Sequence, residues 1–247
     1  MAESWHQVDL AGACLKKDLD SNGKFKAMIF SPDRRSHEVK PRSCKRELAR
    51  CVVTVAVSGR ICEGWTLNIA CLGWGSLIWE PGSLALAGEW YGDGPALPIE
   101  FSRVADGGEL STAICLNAPP VKVCWALLAV PSVEEACAAL RDREQIPEQR
   151  EGAVASLLVS RKPVGALMEW AWNRRINAVI WTALPPRFDG IEGRVPSVED
   201  TVAYLSGLTG ETLKHARDYI ERIPEQIDTP YRRIIRRQLG WHPGSVL

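Results

Sequence analysis

Histidine is scarce in this chain: four occur in 247 residues, and none lies between His37 and His215. That gap excludes a Ser-His-Asp relay and a histidine-ligated metal site built within the main body of the chain. No two of the eight cysteines form a C-x-x-C pair, so neither a zinc ribbon nor a thioredoxin-type motif is present. Gly73-Trp74-Gly75-Ser76 is not the G-x-S-x-G elbow of a serine hydrolase. Neither G-x-G-x-x-G nor a Walker A loop occurs; Gly92-Asp93-Gly94 lacks the third glycine. Net charge is missing as well. Thirty Lys and Arg balance thirty Asp and Glu, which gives no general attraction to nucleic acid or anionic lipid. No apolar run reaches the ~18–20 residues of a membrane helix, and no secretory signal opens the chain. These absences predict a reduced, cytoplasmic protein with neither a nucleic-acid nor a membrane partner.

What is present is an ordinary globular composition, 46% hydrophobic and 24% charged, in a length that fits one large domain or two small ones. Ten tryptophans without a basic groove read as core and pocket lining rather than as stacking platforms for bases. Cys71, Cys115, Cys124 and Cys137 lie in apolar runs and act there as small hydrophobes.

The first 64 residues differ from the rest. Basic pairs cluster there (Lys16-Lys17, Arg34-Arg35, Lys45-Arg46), helical periodicity is poor, and the one apolar piece is Cys51 to Val57. A disordered basic extension, an extra element packed on the domain, and residues upstream of the true translation start all fit. Lacking a repeated apolar face to bury, residues 1–64 are expected to hold little stable structure.

From Trp65 the texture changes. Leu67 to Leu72 reads as a buried strand, broken at Gly73 and Gly75 before the chain resumes as Leu77-Ile78-Trp79. Glycines at such a break permit a left-handed backbone and close approach of another group. Consecutive N–H groups in that turn form either an anion-holding nest or an ordinary glycine turn. Pro98 to Val104 and Leu110 to Leu116, joined through Asp106-Gly107-Gly108, predict a hairpin; Val121 to Val130 is a further β run. Ser132 with Glu135 marks a helix start. Later helices are expected over Val164–Arg174, Val202–Leu208, Thr212–Ile223 and Pro230–Leu239, with a strand over Asn177–Thr182. The arginines of the last helix (Arg232, Arg233, Arg236 and Arg237) read as a solvated face.

The helix after Ser132 carries the chemistry. Val133, Ala136, Cys137 and Leu140 recur at i, i+3, i+4 and i+7, so this face looks inward. The next position on the stripe is Glu144. A carboxylate there is costly unless it is paired, protonated or used; otherwise the helix has ended and Glu144 is solvated or paired with Arg141 or Arg143. With histidine absent, Glu144 is the best-placed group for proton transfer. Glu100 is second, expected on the wet face of its strand. Arg103 assists a ligand or pairs with Glu100.

Leu72-Gly73-Trp74-Gly75-Ser76-Leu77-Ile78-Trp79 resembles the Y-G-S-L loop after the first strand of γ-glutamylcyclotransferase-like proteins. Leu140-Arg141-Asp142-Arg143-Glu144 is similar to their segment bearing the catalytic glutamate. The resemblance covers roughly Asn68 to Glu151. Trp74 stands where the family has tyrosine, the glycine-aromatic stretch of the glutathione-acting branch does not follow Glu144, and about ninety residues are added after Glu151.

The resemblance implies an α+β fold: a small mixed or antiparallel β-barrel flanked by helices, with a C-terminal helical extension in the same domain (residues 65–247). It implies a γ-glutamyl small molecule bound by Trp74, Gly75, Ser76, Leu77 and Arg103. Glu144 would act as general acid and base in release of 5-oxoproline, with no metal or organic cofactor. The alternative is a non-catalytic binding protein of the same fold with a vestigial cleft.

Overall fold

A computed structural model describes residues 67–242 and, before them, the backbone of β1 (Cys14–Leu19) and β2 (Phe25–Phe30). These two strands pair antiparallel, Cys14 opposite Phe30, in a unit separate from that of residues 67–242. The rest of the N-terminal extension, Cys51 to Val57 included, lies outside the described residues.

Residues 67–242 form a mixed α+β domain in which two sheets curl into a half-barrel. β3 (Ile69–Gly73) is central in a sheet ordered β7-β3-β9-β8, with β7 over Cys124–Leu128, β8 over Val154–Leu158 and β9 over Ala178–Thr182. It runs antiparallel to β7 and parallel to β9. The unbroken apolar run of β3 is explained by burial on both faces. Ala70 and Leu72 join one core cluster with Phe101 and Val179, while Ile69 and Cys71 join a second with Ala136 and Leu140. Each Leu or Ile so buried contributes about 1.5–3 kcal/mol.

The second sheet is built on β4 (Ala96–Val104), which pairs antiparallel with β5 (Leu110–Ile114) and β6 (Pro120–Lys122). β10 (Arg187–Phe188) joins it in parallel through Arg187 opposite Arg103 and carries β11 (Ile191–Glu192). The sequence run expected as one strand from Val121 is thus two. β6 and β7 are separated only by Val123, where the chain passes from one sheet to the other. Val123 N–H donates to the Pro95 carbonyl and Gly94 N–H to the Val123 carbonyl, both at 3.1 Å. A Cβ at residue 94 would overlap that carbonyl, so the corner requires glycine.

Five helices cover the sheets: α1 (Val133–Arg143), α2 (Ala166–Asn173), α3 (Val198–Gly207), α4 (Gly210–Arg222) and α5 (Pro230–Leu239). None of the described helices is long and apolar enough to cross a membrane. Two expectations are corrected here. Glu100 does not face water; it is 2% exposed, because α5 packs on the face of β4 assumed to be wet. Its carboxylate accepts hydrogen bonds from Thr229 Oγ1, from Phe101 N–H at 2.9 Å and from Tyr231 N–H at 3.3 Å, at the start of α5. Burial pushes its pKa above the usual carboxylate range.

The second correction concerns Arg232, which is fully buried rather than part of a solvated face. It donates to the carbonyls of Ile220, Ile223, Pro224 and Ile227, satisfying acceptors that the end of α4 leaves open. Burial draws its pKa down to about 10.

Candidate active site

β3 stops at Gly73, and the chain bends through Trp74 and Gly75 into a short 3-10 turn over Ser76–Ile78. The glycines provide room rather than a left-handed backbone. Gly75 has φ −149°, and a side chain there would run into the Tyr219 hydroxyl. At Gly73 a Cβ would lie 2.7 Å from the Trp90 ring. Ile78 and Glu80 return their N–H groups to the carbonyls of Gly75 and Ser76 at 3.1 and 2.9 Å. Among the described residues nothing accepts from the N–H groups of Gly75, Ser76 and Leu77, so three main-chain donors remain available.

The Trp74 carbonyl fixes the loop from the other side. Thr112 Oγ1 donates to it at 3.0 Å and lies 2.9 Å from the Tyr219 hydroxyl. A threonine hydroxyl has one proton, already given to Trp74, so Tyr219 donates in the second contact. The Tyr219 oxygen in turn accepts the Thr112 N–H at 3.2 Å. Burial raises the Tyr219 pKa to about 12, with the charges of Glu144 and Glu109 adding to the shift; the phenol stays neutral.

α1 delivers the carboxylate. The helix ends at Arg143, and Glu144 is its C-cap. Gln145 takes the left-handed conformation at φ 51°; its N–H bonds the Asp142 carbonyl and that of Ile146 the Arg141 carbonyl, both at 3.0 Å. This paired closure usually uses glycine at the left-handed position. Glutamine there costs of order 1 kcal/mol or more and directs the chain away just after Glu144. The pairing with Arg143 weighed from the sequence is present, at 2.8 Å from Glu144 Oε1. Yet the side chain is only 20% exposed, and burial raises its pKa above the ordinary value despite the opposing pull of Arg143. Oε2 has no partner among the described residues.

Arg143 links the two halves of the site. Its Nη2 donates to Ser76 Oγ at 3.1 Å, and Nε and Nη2 donate to the Glu80 carbonyl at 2.9 and 2.7 Å. Between them lies a cavity of about 400 Å³, within the size range of small-molecule sites. Trp74, Gly75, Ser76, Leu77, Arg103 and Glu144, the six residues expected at a site, all line it. Trp74 is 6% exposed, its ring packed in the core. Arg103 pairs with Glu192 rather than Glu100: Nη1 lies 2.9 Å and Nη2 3.2 Å from its two oxygens, and Nη1 also donates to the Pro185 carbonyl at 2.8 Å. Arg150 Nη2 shares Glu192 Oε1 at 2.8 Å, and Arg187 bonds Asp106 at 2.6 Å.

Among the described residues no group of three or more His, Cys, Asp and Glu side chains is arranged to hold a metal ion. The arrangement suits an anionic, hydrogen-bonding ligand: unused amides on one wall, guanidinium groups on another, and a carboxylate of raised pKa between them.

The chain matches no protein-family model, no curated protein and no solved structure. The site therefore stands on its own geometry. Sequence reasoning missed Thr112, Arg150, Arg187, Tyr219 and Glu109, and weighed Arg143 only as a partner of Glu144. Only Arg143 carried a local signal, being adjacent to Glu144. The others reach the cavity through the β4–β5 hairpin, the loop after α1, β10 and α4, and no spacing in the chain marks them.

Proposed function

We propose that this protein is a γ-glutamylcyclotransferase-like enzyme that releases 5-oxoproline from a γ-glutamyl amine, amide or peptide. The reading is carried by one observation: Glu144 and the three unused amides of Gly75, Ser76 and Leu77 line a single small cavity and are tied together through Arg143. The curled half-barrel with a glycine loop after β3 and a glutamate at the end of α1 agrees with the resemblance in the sequence.

The α-carboxylate of the substrate would dock on those amides, with the Ser76 hydroxyl and Arg143 beside it. That placement curls the substrate so its own α-amine meets its γ-carbonyl, and proximity supplies much of the rate. The amine nitrogen bonds to the γ-carbon; Glu144 Oε2 takes the amine proton; the bond from the γ-carbon to the leaving nitrogen breaks; and Glu144 returns the proton to that nitrogen. The products are 5-oxoproline and a free amine. Proton transfer of this type contributes ~10²–10⁴-fold, and a carboxylate of raised pKa is suited to both halves of the exchange. Tyr219 and Thr112 hold the loop without exchanging protons.

The test is 5-oxoproline release from a panel of γ-glutamyl amines, amides and peptides, with Glu144→Gln alongside. Release by the native chain that Glu144→Gln lacks is the expected result. Equal release by the variant, or none from the panel, removes the proposal and leaves a binding protein with an inert cleft.

A further inference from the structure

The ion pairing of the cavity wall is complete except at one residue. Each of the four arginines has a carboxylate: Arg143 has Glu144, Arg103 and Arg150 share Glu192, and Arg187 has Asp106. Glu109, on the same wall, has none of them. Its side chain is 15% exposed; Oε2 is shut off from solvent and accepts no hydrogen bond from a described residue. The nearest basic nitrogen among the described residues is Nδ1 of the largely exposed His215, at 3.7 Å, beyond hydrogen-bond reach.

The fold spends effort on holding this carboxylate. Glu109 closes the β4–β5 turn, its carbonyl accepting the Ala105 N–H at 2.9 Å. Tyr204 on α3 secures the turn by donating to the Gly108 carbonyl at 2.6 Å. Residue 107 is glycine, and a Cβ there would lie 2.7 Å from Glu109 Oε2. Leu110, next in the chain, is fully buried and anchors the strand. A carboxylate oxygen withdrawn from water without a donor costs free energy unless a cation completes it. Among the described residues no arginine or lysine reaches this carboxylate and His215 stands off at 3.7 Å, so the part of it that faces the cavity is left for a cation on the ligand.

We propose that Glu109 is the second carboxylate of this site and holds the α-ammonium group of a γ-glutamyl ligand. The inference rests on the γ-glutamyl reading of the cavity and divides the labour between two acids. Glu109, free of any arginine, binds the cation. Glu144, buried and held by Arg143, is a weak cation holder and a good proton acceptor. Bound at Glu109 through one N–H, the ammonium group retains two more. One of these protons passes to Glu144, freeing the electron pair that attacks the γ-carbon. Glu144 gives that proton to the leaving nitrogen as its bond to the γ-carbon breaks and then takes the second, so the lactam nitrogen keeps the one N–H bonded to Glu109.

The test compares two probes that differ only in the amine: L-glutamate, and glutarate, which lacks it. Binding is measured by calorimetry near neutral pH, so no turnover is needed. The native chain is expected to bind L-glutamate about 10- to 100-fold more tightly than glutarate, the worth of a hydrogen bond to a charged group. Glu109→Gln should bind the two alike, with glutarate binding retained and a melting temperature no lower than native. Glu109→Asp, which keeps the charge on a shorter arm, should show an intermediate preference. Glu144→Gln should keep the full preference. A native chain without preference, a preference unchanged in Glu109→Gln, or a variant that melts earlier and loses glutarate as well would overturn the proposal. An intact preference in a protein that releases no 5-oxoproline would remove the catalytic reading and leave the ammonium site standing.

Discussion

The guanidinium of Arg143 donates to the Ser76 hydroxyl at 3.1 Å, joining residues 67 positions apart in the chain. That bond ties the end of α1 to the loop after β3, and the same side chain sits 2.8 Å from the carboxylate to which the proposed chemistry is assigned.

Arg143→Met should therefore act on rate and pH dependence together. Glu144 loses its counter-charge, so its pKa rises further and the rising limb of kcat/KM against pH moves to higher pH. Near neutral pH the rate should fall about 10- to 100-fold, the worth of one charged hydrogen bond. A pH–rate profile of 5-oxoproline release checks both. An unmoved limb would show that Arg143 does not set the proton affinity of Glu144.

Glu144→Gln should reduce turnover by ~10²–10⁴-fold and stabilise the fold. The folded-state pKa of Glu144 lies above its unfolded value, so the ionised carboxylate is a cost to the folded state, present above the folded pKa and relieved as pH falls through the carboxylate range. The variant should melt higher than the native chain at neutral pH, with the difference closing on acidification. Thermal melts across a pH series measure it; a variant less stable at neutral pH would contradict the assignment.

Gly75 and Tyr219 should be coupled. Gly75→Ala forces a methyl group against the phenol and is expected to cost about 1–3 kcal/mol. Tyr219→Phe alone loses its hydrogen bonds to Thr112, about 1 kcal/mol. Together they should cost less than the sum, by about 1 kcal/mol, since the clash is with the hydroxyl. Urea unfolding of the four proteins closes the cycle, and strict additivity would mean that Tyr219 is not what this glycine accommodates.

Arg232→Met should cost about 3 kcal/mol or more, because it strands buried carbonyls at the end of α4. Arg237→Met, on the exposed face of α5, should fall within about 0.5 kcal/mol of the native chain. Urea midpoints distinguish the two arginines directly.

Much of the domain was legible in the sequence where one signal dominated locally. The apolar run of β3, the hairpin around Gly107-Gly108, the Ser132 cap and the Pro230–Leu239 helix follow from patterns spanning a few residues. Glu144 stood out because it continued an apolar stripe, and both answers weighed for it hold in part: the helix does end, and the carboxylate is still withdrawn from water. What was not legible depended on distant partners. Glu100 read as facing water until α5 covered it, and Arg232 looked solvated until the end of α4 met it. Tyr219 occupies an ordinary core position between Ala216 and Ile220, and only the tertiary fold turns its hydroxyl toward Gly75. β10 and β11, two residues each, are too short to leave a period.

Tyr219 enters the hollow from α4, seventy-five positions after the glutamate it faces. That wall of the chamber is thus made after every other lining residue in chain order. Without α4 the hollow that holds Glu144 lacks one side, so the proposed chemistry would depend on a helix whose sequence gives no hint of that duty.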